Sequence, residues 1–145
     1  MVETKLKGNL TEMECMIAFI ELGYQVSIPF GEDCRYDFIA DLNGKLYRIQ
    51  CKTSSLVYDD NEKPVAIKFK TCRQSGSCSK VYTRTKYTRN EIDFFATSYN
   101  KKCYLVPVEE CSFEKTLRIV PPKDGRTKGI TFLNNQELSE VLKTL

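Results

Sequence analysis

Asn43-Gly44 lies between two segments, residues 36–42 and 45–52, in which apolar and polar side chains alternate. A two-residue hairpin turn needs positive φ at both central positions to match the twist of its strands, and Asn-Gly meets that need with least strain. The chain is therefore expected to fold an antiparallel hairpin closed at this point. Its register can be counted. Residues whose numbers sum to 87 face each other, pairing Leu42 with Lys45, Ala40 with Tyr47, Phe38 with Ile49 and Asp37 with Gln50.

Cross-strand partners hold their Cβ atoms about 4.5–5.5 Å apart, and Lys52 follows Gln50 by two residues on the same face. Backbone geometry thus gathers Asp37, Gln50 and Lys52, while Phe38, Ala40, Tyr47, Ile49 and Cys51 form a core layer on the other face. Such a triplet suits phosphodiester hydrolysis. A carboxylate and an amide oxygen at that spacing can both reach a Mg²⁺ that seeks oxygens near about 2.0–2.1 Å, and an adjacent ammonium can orient water and stabilise charge at phosphorus. Three polar residues so spaced also fit an ordinary solvated sheet face, and the pattern by itself does not separate the two.

The chain contains no histidine. That removes the commonest general base, every His-containing triad and most catalytic zinc sites, so acid–base work falls to Asp, Glu, Lys, Tyr or water. Seven cysteines, at positions 15, 34, 51, 72, 78, 103 and 111, form an odd set that suits reduced thiols better than a disulfide scaffold. Residues 1–5 mix acid and base without an apolar signal core, which points to a cytoplasmic protein. The longest apolar run is residues 16–20, too short to span a membrane.

At 145 residues the chain is expected to form one domain over residues 1–145. Asn9 can cap a helix with Glu12 in capping-box position; Leu10, Met13, Met16, Ile17 and Ile20 follow at helical spacing, and Gly23 ends it, predicting a helix over 10–22. Residues 26–30 read as a short strand. Val65, Ile67, Phe69 and Thr71 alternate with Lys68 and Lys70, predicting a strand with both lysines on an exposed face. Residues 73–80 read as a loop, 92–98 and 103–108 as strands about an Asn100-Lys101-Lys102 turn, 121–125 as a loop, and 136–145 as a short helix. The order of elements implies an α+β or mixed α/β fold with a central sheet.

Charge is unevenly spread. Eight of the 22 basic residues and none of the 19 acidic ones fall in residues 63–90, so a segment of charge +8 sits in a body of charge −5. Phe69, Tyr82 and Tyr87 interleave with those charges, as suits a surface that meets sugar-phosphate. A solvated lysine-rich face is the plainer alternative.

Residues 37–41, Asp-Phe-Ile-Ala-Asp, followed by residues 48–53, Arg-Ile-Gln-Cys-Lys-Thr, resemble the motif of the PD-(D/E)XK nucleases, with Gln50 in place of the second acid and Tyr36 in place of the motif proline. That variant is similar to the one in PD-(D/E)XK homing endonucleases encoded in group I introns. Residues 92–96 and 104–107 also look like stretches of that group. The resemblance implies a single restriction-endonuclease-like α/β domain whose central mixed sheet is flanked by helices. It makes Glu12 the helix-borne acid, giving Glu12, Asp37, Gln50 and Lys52 as the catalytic set. Asp37, Glu12, Gln50 and the Cys51 main-chain carbonyl are then the candidate ligands of Mg²⁺, for which Mn²⁺ should substitute. Double-stranded DNA is the implied substrate, cut at a specific site, with Lys68, Lys70, Arg73, Lys80, Arg84, Lys86 and Arg89 as its binding residues. Cutting two strands with one small site per chain favours a homodimer or homotetramer. The alternatives are a junction-resolving nuclease with the same core and a catalytically inert DNA-binding protein, since Gln50 removes one negative charge from the metal site.

Overall fold

The structure, a computed structural model, describes residues 2–75 and 83–145, so Lys80 and Cys78 lie outside the described residues. A five-stranded sheet forms its centre, in the order β1 (Gln25–Ser27), β2 (Phe38–Leu42), β3 (Lys45–Cys51), β8 (Phe94–Tyr99), β9 (Lys102–Pro107). Only β3 and β8 run parallel; their neighbours pair antiparallel, so the sheet is mixed. The β2–β3 hairpin has the counted register from Leu42↔Lys45 to Phe38↔Ile49, and Asn43 and Gly44 take φ of 55° and 89°. The β8–β9 turn is of the same size, with Asn100 and Lys101 at φ of 50° and 61° and Lys102 already paired to Tyr99.

Strand β8 explains the layering. Phe94, Phe95, Ala96 and Thr97 are all buried, as a strand covered on both faces requires. On one face Phe94 and Ala96 pack with Phe38, Ile49 and Leu105 beneath α1 (Val2–Glu21) and α2 (Leu138–Leu142), through Cys15, Phe19, Leu138 and Val141. On the other face Phe95, Tyr104 and Val106 meet Ile67, Phe69 and Leu117 of a second, three-stranded sheet ordered β10 (Glu114–Arg118), β5 (Pro64–Lys70), β4 (Ser55–Tyr58). Both helices thus share one face and the small sheet covers the other. A ribbon of β6 (Cys72–Ser75) and β7 (Thr83–Lys86) extends from this second layer.

Several expectations are corrected. Helix α1 begins at Val2, so Asn9 is an exposed mid-helix residue and no cap, and Glu12 is no capping-box residue. Gly8-Asn9 imitates a helix start because both are weak helix formers, but Glu3 and Lys7 pair at i,i+4 across the turn before them. Of the apolar residues that reveal the helical period, only Met16 packs against the core. Leu10, Met13, Ile17 and Ile20 are exposed, and Thr11, Cys15 and Phe19 supply the buried face. Residues 73–75 are strand, not loop, and the span after residue 108 contains β10. The strand at 26–30 is only Gln25–Ser27, and the C-terminal helix only Leu138–Leu142.

Candidate active site

Regular pairing of β2 with β3 stops at Phe38↔Ile49, and Asp37 closes it in another way. Its main-chain N–H donates to the Ile49 carbonyl at 2.8 Å, and its carboxylate Oδ2 accepts the Cys51 N–H at 2.7 Å. The carboxylate therefore takes a backbone donor that a strand carbonyl would otherwise satisfy, which fixes it against the end of β3. Opposite it stands α1. Lys5, Gly8, Asn9, Thr11 and Glu12 from the helix and Asp37, Gln50, Cys51 and Thr53 from the sheet line a cavity of about 340 Å³. Thr11 and Thr53 hydroxyls meet across it at 3.5 Å.

Two carboxylates thus face one cavity. Burial pushes the Glu12 carboxyl above its ordinary value, and the Asp37 charge adds to the rise. Burial also raises Asp37, against the Cys51 N–H and the Lys52 ammonium, which both pull it down. A pair of acids desolvated and repelling each other is a pair that a cation relieves. Gln50 Nε2 donates to the Cys51 carbonyl at 3.3 Å, which leaves the amide oxygen as a neutral donor. Among the described residues no three His, Cys, Asp or Glu side chains are placed to share a metal ion. Any divalent ion here must therefore complete its shell from neutral oxygens, with Gln50 and the Cys51 carbonyl at hand. Hard oxygen donors with two negative charges fit Mg²⁺ or Mn²⁺.

Lys52 lies off that cavity but within electrostatic reach. Burial lowers its pKa and Asp37 raises it. Its ammonium sits 5.1 Å over the Tyr87 ring and 3.5 Å from the Tyr87 hydroxyl. Tyr87 in turn packs edge-on against Phe95 of β8 at 5.3 Å. The turn that follows Tyr87 is tied to β3 by Arg48, whose guanidinium donates to the carbonyls of Arg89 and Asn90 and pairs with Asp93 at 3.2 Å. An aromatic shelf anchored in this way holds the ammonium without neutralising it.

The sequence of the chain matches the PD-(D/E)XK endonuclease family over residues 2–139. The chain belongs to the PD-(D/E)XK endonuclease family. Among solved structures, that of a bacterial homing endonuclease, I-Ssp6803I, is similar to it with a TM-score of 0.74 and 21% identity, covering 97% of this chain and 92% of that one. At that identity the likeness establishes a shared restriction-endonuclease-like fold. No curated protein of similar sequence was found.

Within this PD-(D/E)XK fold the structure brings together Glu12, Asp37, Gln50 and Cys51, with Lys52 adjoining. Glu14, the other acid on that stretch of α1, lines a separate depression with Ser54 and Ser98. The basic residues divide into groups. Lys68 and Lys70 share a depression with Lys52, and Arg73 is close enough to depress the Lys52 pKa. In the ribbon, Cys72 pairs with Lys86, Arg73 with Thr85 and Gln74 with Arg84, so alternation puts Lys86 and Arg84 on the face opposite Arg73. Lys86 rests over the Phe113 ring at 4.8 Å, and Arg89 pairs with Glu109 at 2.6 Å. Sequence reasoning missed Lys5 and Gly8 as cavity residues, because the first two turns of α1 were not expected, and Thr11, which lies within the expected helix but has no signal of its own. It also missed Tyr87 as the shelf for Lys52, a contact made only by the tertiary fold. Among the described residues no helix is long and apolar enough to cross a membrane.

Proposed function

We propose that this endonuclease is a Mg²⁺-dependent cytoplasmic enzyme that hydrolyses both strands of DNA at a specific site, as its likeness to a homing endonuclease suggests. The observation that carries the proposal is the single cavity onto which Glu12 and Asp37 open, with Gln50 beside them and the Lys52 ammonium next door. Asp37, Glu12, the Gln50 amide oxygen and the Cys51 carbonyl are the groups that would hold the ion. When bound, the ion supplies a Lewis acid for the scissile phosphate and lowers the pKa of water.

The residues of the chain do the rest. Asp37 and Glu12, whose burial disfavours their charged forms, would supply the negative charge that a bound ion stabilises. Gln50 contributes an oxygen without adding a third charge, so affinity for the ion is lower than with three acids. Lys52, held on Tyr87, places a positive charge where charge grows on the phosphate, an interaction stronger in the transition state than in the ground state. Lys68, Lys70 and Arg73, on the same side as Lys52, hold the DNA backbone, and Arg84, Lys86 and Arg89 extend the binding surface.

Supercoiled plasmid and a library of DNA sites, incubated with the chain in Mg²⁺ and in EDTA and then sequenced at their ends, test the reading. Cleavage confined to Mg²⁺ or Mn²⁺ and to one recurrent sequence is expected. Cutting governed by branch shape would favour junction resolution, and cleavage undiminished in EDTA would remove the metal site.

A further inference from the structure

Arg35 stands two residues before Asp37 and joins that segment to a turn far along the chain. Its guanidinium Nε meets Glu91 Oε2 at 2.9 Å. The other oxygen of the same carboxylate, Oε1, accepts the Thr88 N–H at 3.1 Å and the Thr88 hydroxyl at 3.2 Å. Both oxygens of Glu91 are thus engaged, one by the segment that leads into Asp37 and one by the residue that follows Tyr87. The Thr88 carbonyl accepts the N–H groups of Glu91 and Ile92, which closes the turn.

Stability does not account for the arrangement. The Arg35 and Glu91 side chains are 35% and 24% exposed, and an ion pair so placed contributes little to folding. Arg35 Nη1 is withdrawn from solvent with no hydrogen-bond partner among the described residues, and an unpaired buried donor works against the folded state. What the pair supplies is a fixed separation. Arg48 ties the turn after Tyr87 to β3, ahead of Lys52, and Arg35 ties the same turn to the segment that carries Asp37. A turn with one of these ties removed can pivot about the other. The Arg35 charge also reaches the Tyr87 hydroxyl, since burial pushes that phenol up and Arg73 and Arg35 draw it down.

We infer that Arg35 is a positioning residue for cleavage, which through Glu91 holds the Tyr87 shelf, and with it the Lys52 ammonium, in fixed relation to Asp37. The inference rests on the nuclease reading and deepens it by naming what sets Asp37 and Lys52 relative to each other. A misplacement of about 1 Å can cost about a hundredfold in rate, so a loosened shelf slows cleavage without loss of the DNA.

Two readouts separate this role from a structural one. Lysine labelled with ¹³C at Cε reports on Lys52 without reference to cleavage, its signal identified by its absence in Lys52→Ala. The Tyr87 ring beneath the ammonium should shift the attached protons upfield. Arg35→Met and Glu91→Gln should each move that signal toward the position of exposed lysines. Each should also slow single-turnover cleavage by about tenfold, with site-specific affinity in Ca²⁺ and melting temperature close to wild type. In a Tyr87→Leu background neither should slow cleavage further, and Arg35→Lys, which keeps a cation for Glu91, should recover most of the rate. Glu91→Gln retains an acceptor for Thr88, so it decides the matter even if Arg35→Met misfolds. A Lys52 signal unmoved in both variants overturns the inference, as do effects that add to that of Tyr87→Leu. So does a loss in Arg35→Met that Glu91→Gln does not share, which would put Arg35 on the DNA itself. A wild type that does not cut DNA removes the nuclease reading, and the Lys52 signal then still judges the link between Arg35 and the shelf.

Discussion

The Asp37 carboxylate accepts the Cys51 main-chain N–H at 2.7 Å, so the group that faces the cavity beneath α1 also ends the β2–β3 ladder. Its two duties can be separated. Asp37→Asn keeps an oxygen for the Cys51 N–H and removes the charge, so cleavage should fall by about 10³-fold or more while thermal stability is kept or improved. Asp37→Ala leaves that N–H without its partner and should also lose stability, about 1–3 kcal/mol. Melting curves alongside cleavage rates distinguish the pair.

Acidity gives a second expectation. Folding raises the carboxyl pKa values of Glu12 and Asp37, so the folded chain holds protons there more tightly than the unfolded chain. Their contribution to stability is full below the ordinary carboxylate range and is lost as pH rises through the raised values. In EDTA, wild type should therefore lose stability over that window relative to Glu12→Gln/Asp37→Asn. Mg²⁺ should restore it at neutral pH and have little effect in acid. Melting temperature against pH, with and without Mg²⁺, checks the sign.

Gln50→Glu adds a third acid to two that already repel each other. Without metal the variant should be less stable than wild type, and with Mn²⁺ it should bind the ion more tightly and keep more activity than Asp37→Ala. Titration calorimetry with Mn²⁺ measures the change in affinity.

Grouping of the basic residues sets an order for DNA binding. Neutralising Lys68, Lys70 or Arg73, on the Lys52 side, should reduce the slope of log K against log salt by about 0.9 for each phosphate that no longer meets a positive charge. Arg89, already paired with Glu109, should matter less. Affinities measured over a range of salt concentrations give these slopes directly.

The sequence discloses the parts of this molecule that local rules govern. Asn43-Gly44 determines the turn, and the turn sets the register as far as Phe38 and Ile49; beyond it the counted pairing of Asp37 with Gln50 gives way to bonds from the Asp37 N–H to the Ile49 carbonyl and from the Cys51 N–H to the Asp37 carboxylate. Alternation likewise exposes Lys68 and Lys70. Strands β4 and β10 escape notice because each is short and gains its place from packing; β10, Glu-Lys-Thr-Leu-Arg, is also polar, with only Leu117 buried. In α1 the period is legible but its direction is not, since the residues carrying the strongest apolar signal face outward. Glu12 enters through resemblance to a family, and Tyr87 only through the fold, which brings it to Lys52 from 35 residues away.

Lys52 on its aromatic shelf is the part of the site on which the account of catalysis depends most. Tyr87→Phe keeps the ring and should preserve most activity, whereas Tyr87→Leu removes a cation–π interaction of about 0.5–2 kcal/mol and should slow cleavage by about twofold to thirtyfold. The decisive measurement is single-turnover cleavage of bound DNA by Lys52→Ala in Mg²⁺, with site-specific binding measured separately in Ca²⁺. The account predicts cleavage slower by about 10³-fold or more with affinity changed by less than about tenfold. Near-normal cleavage by the variant would contradict it.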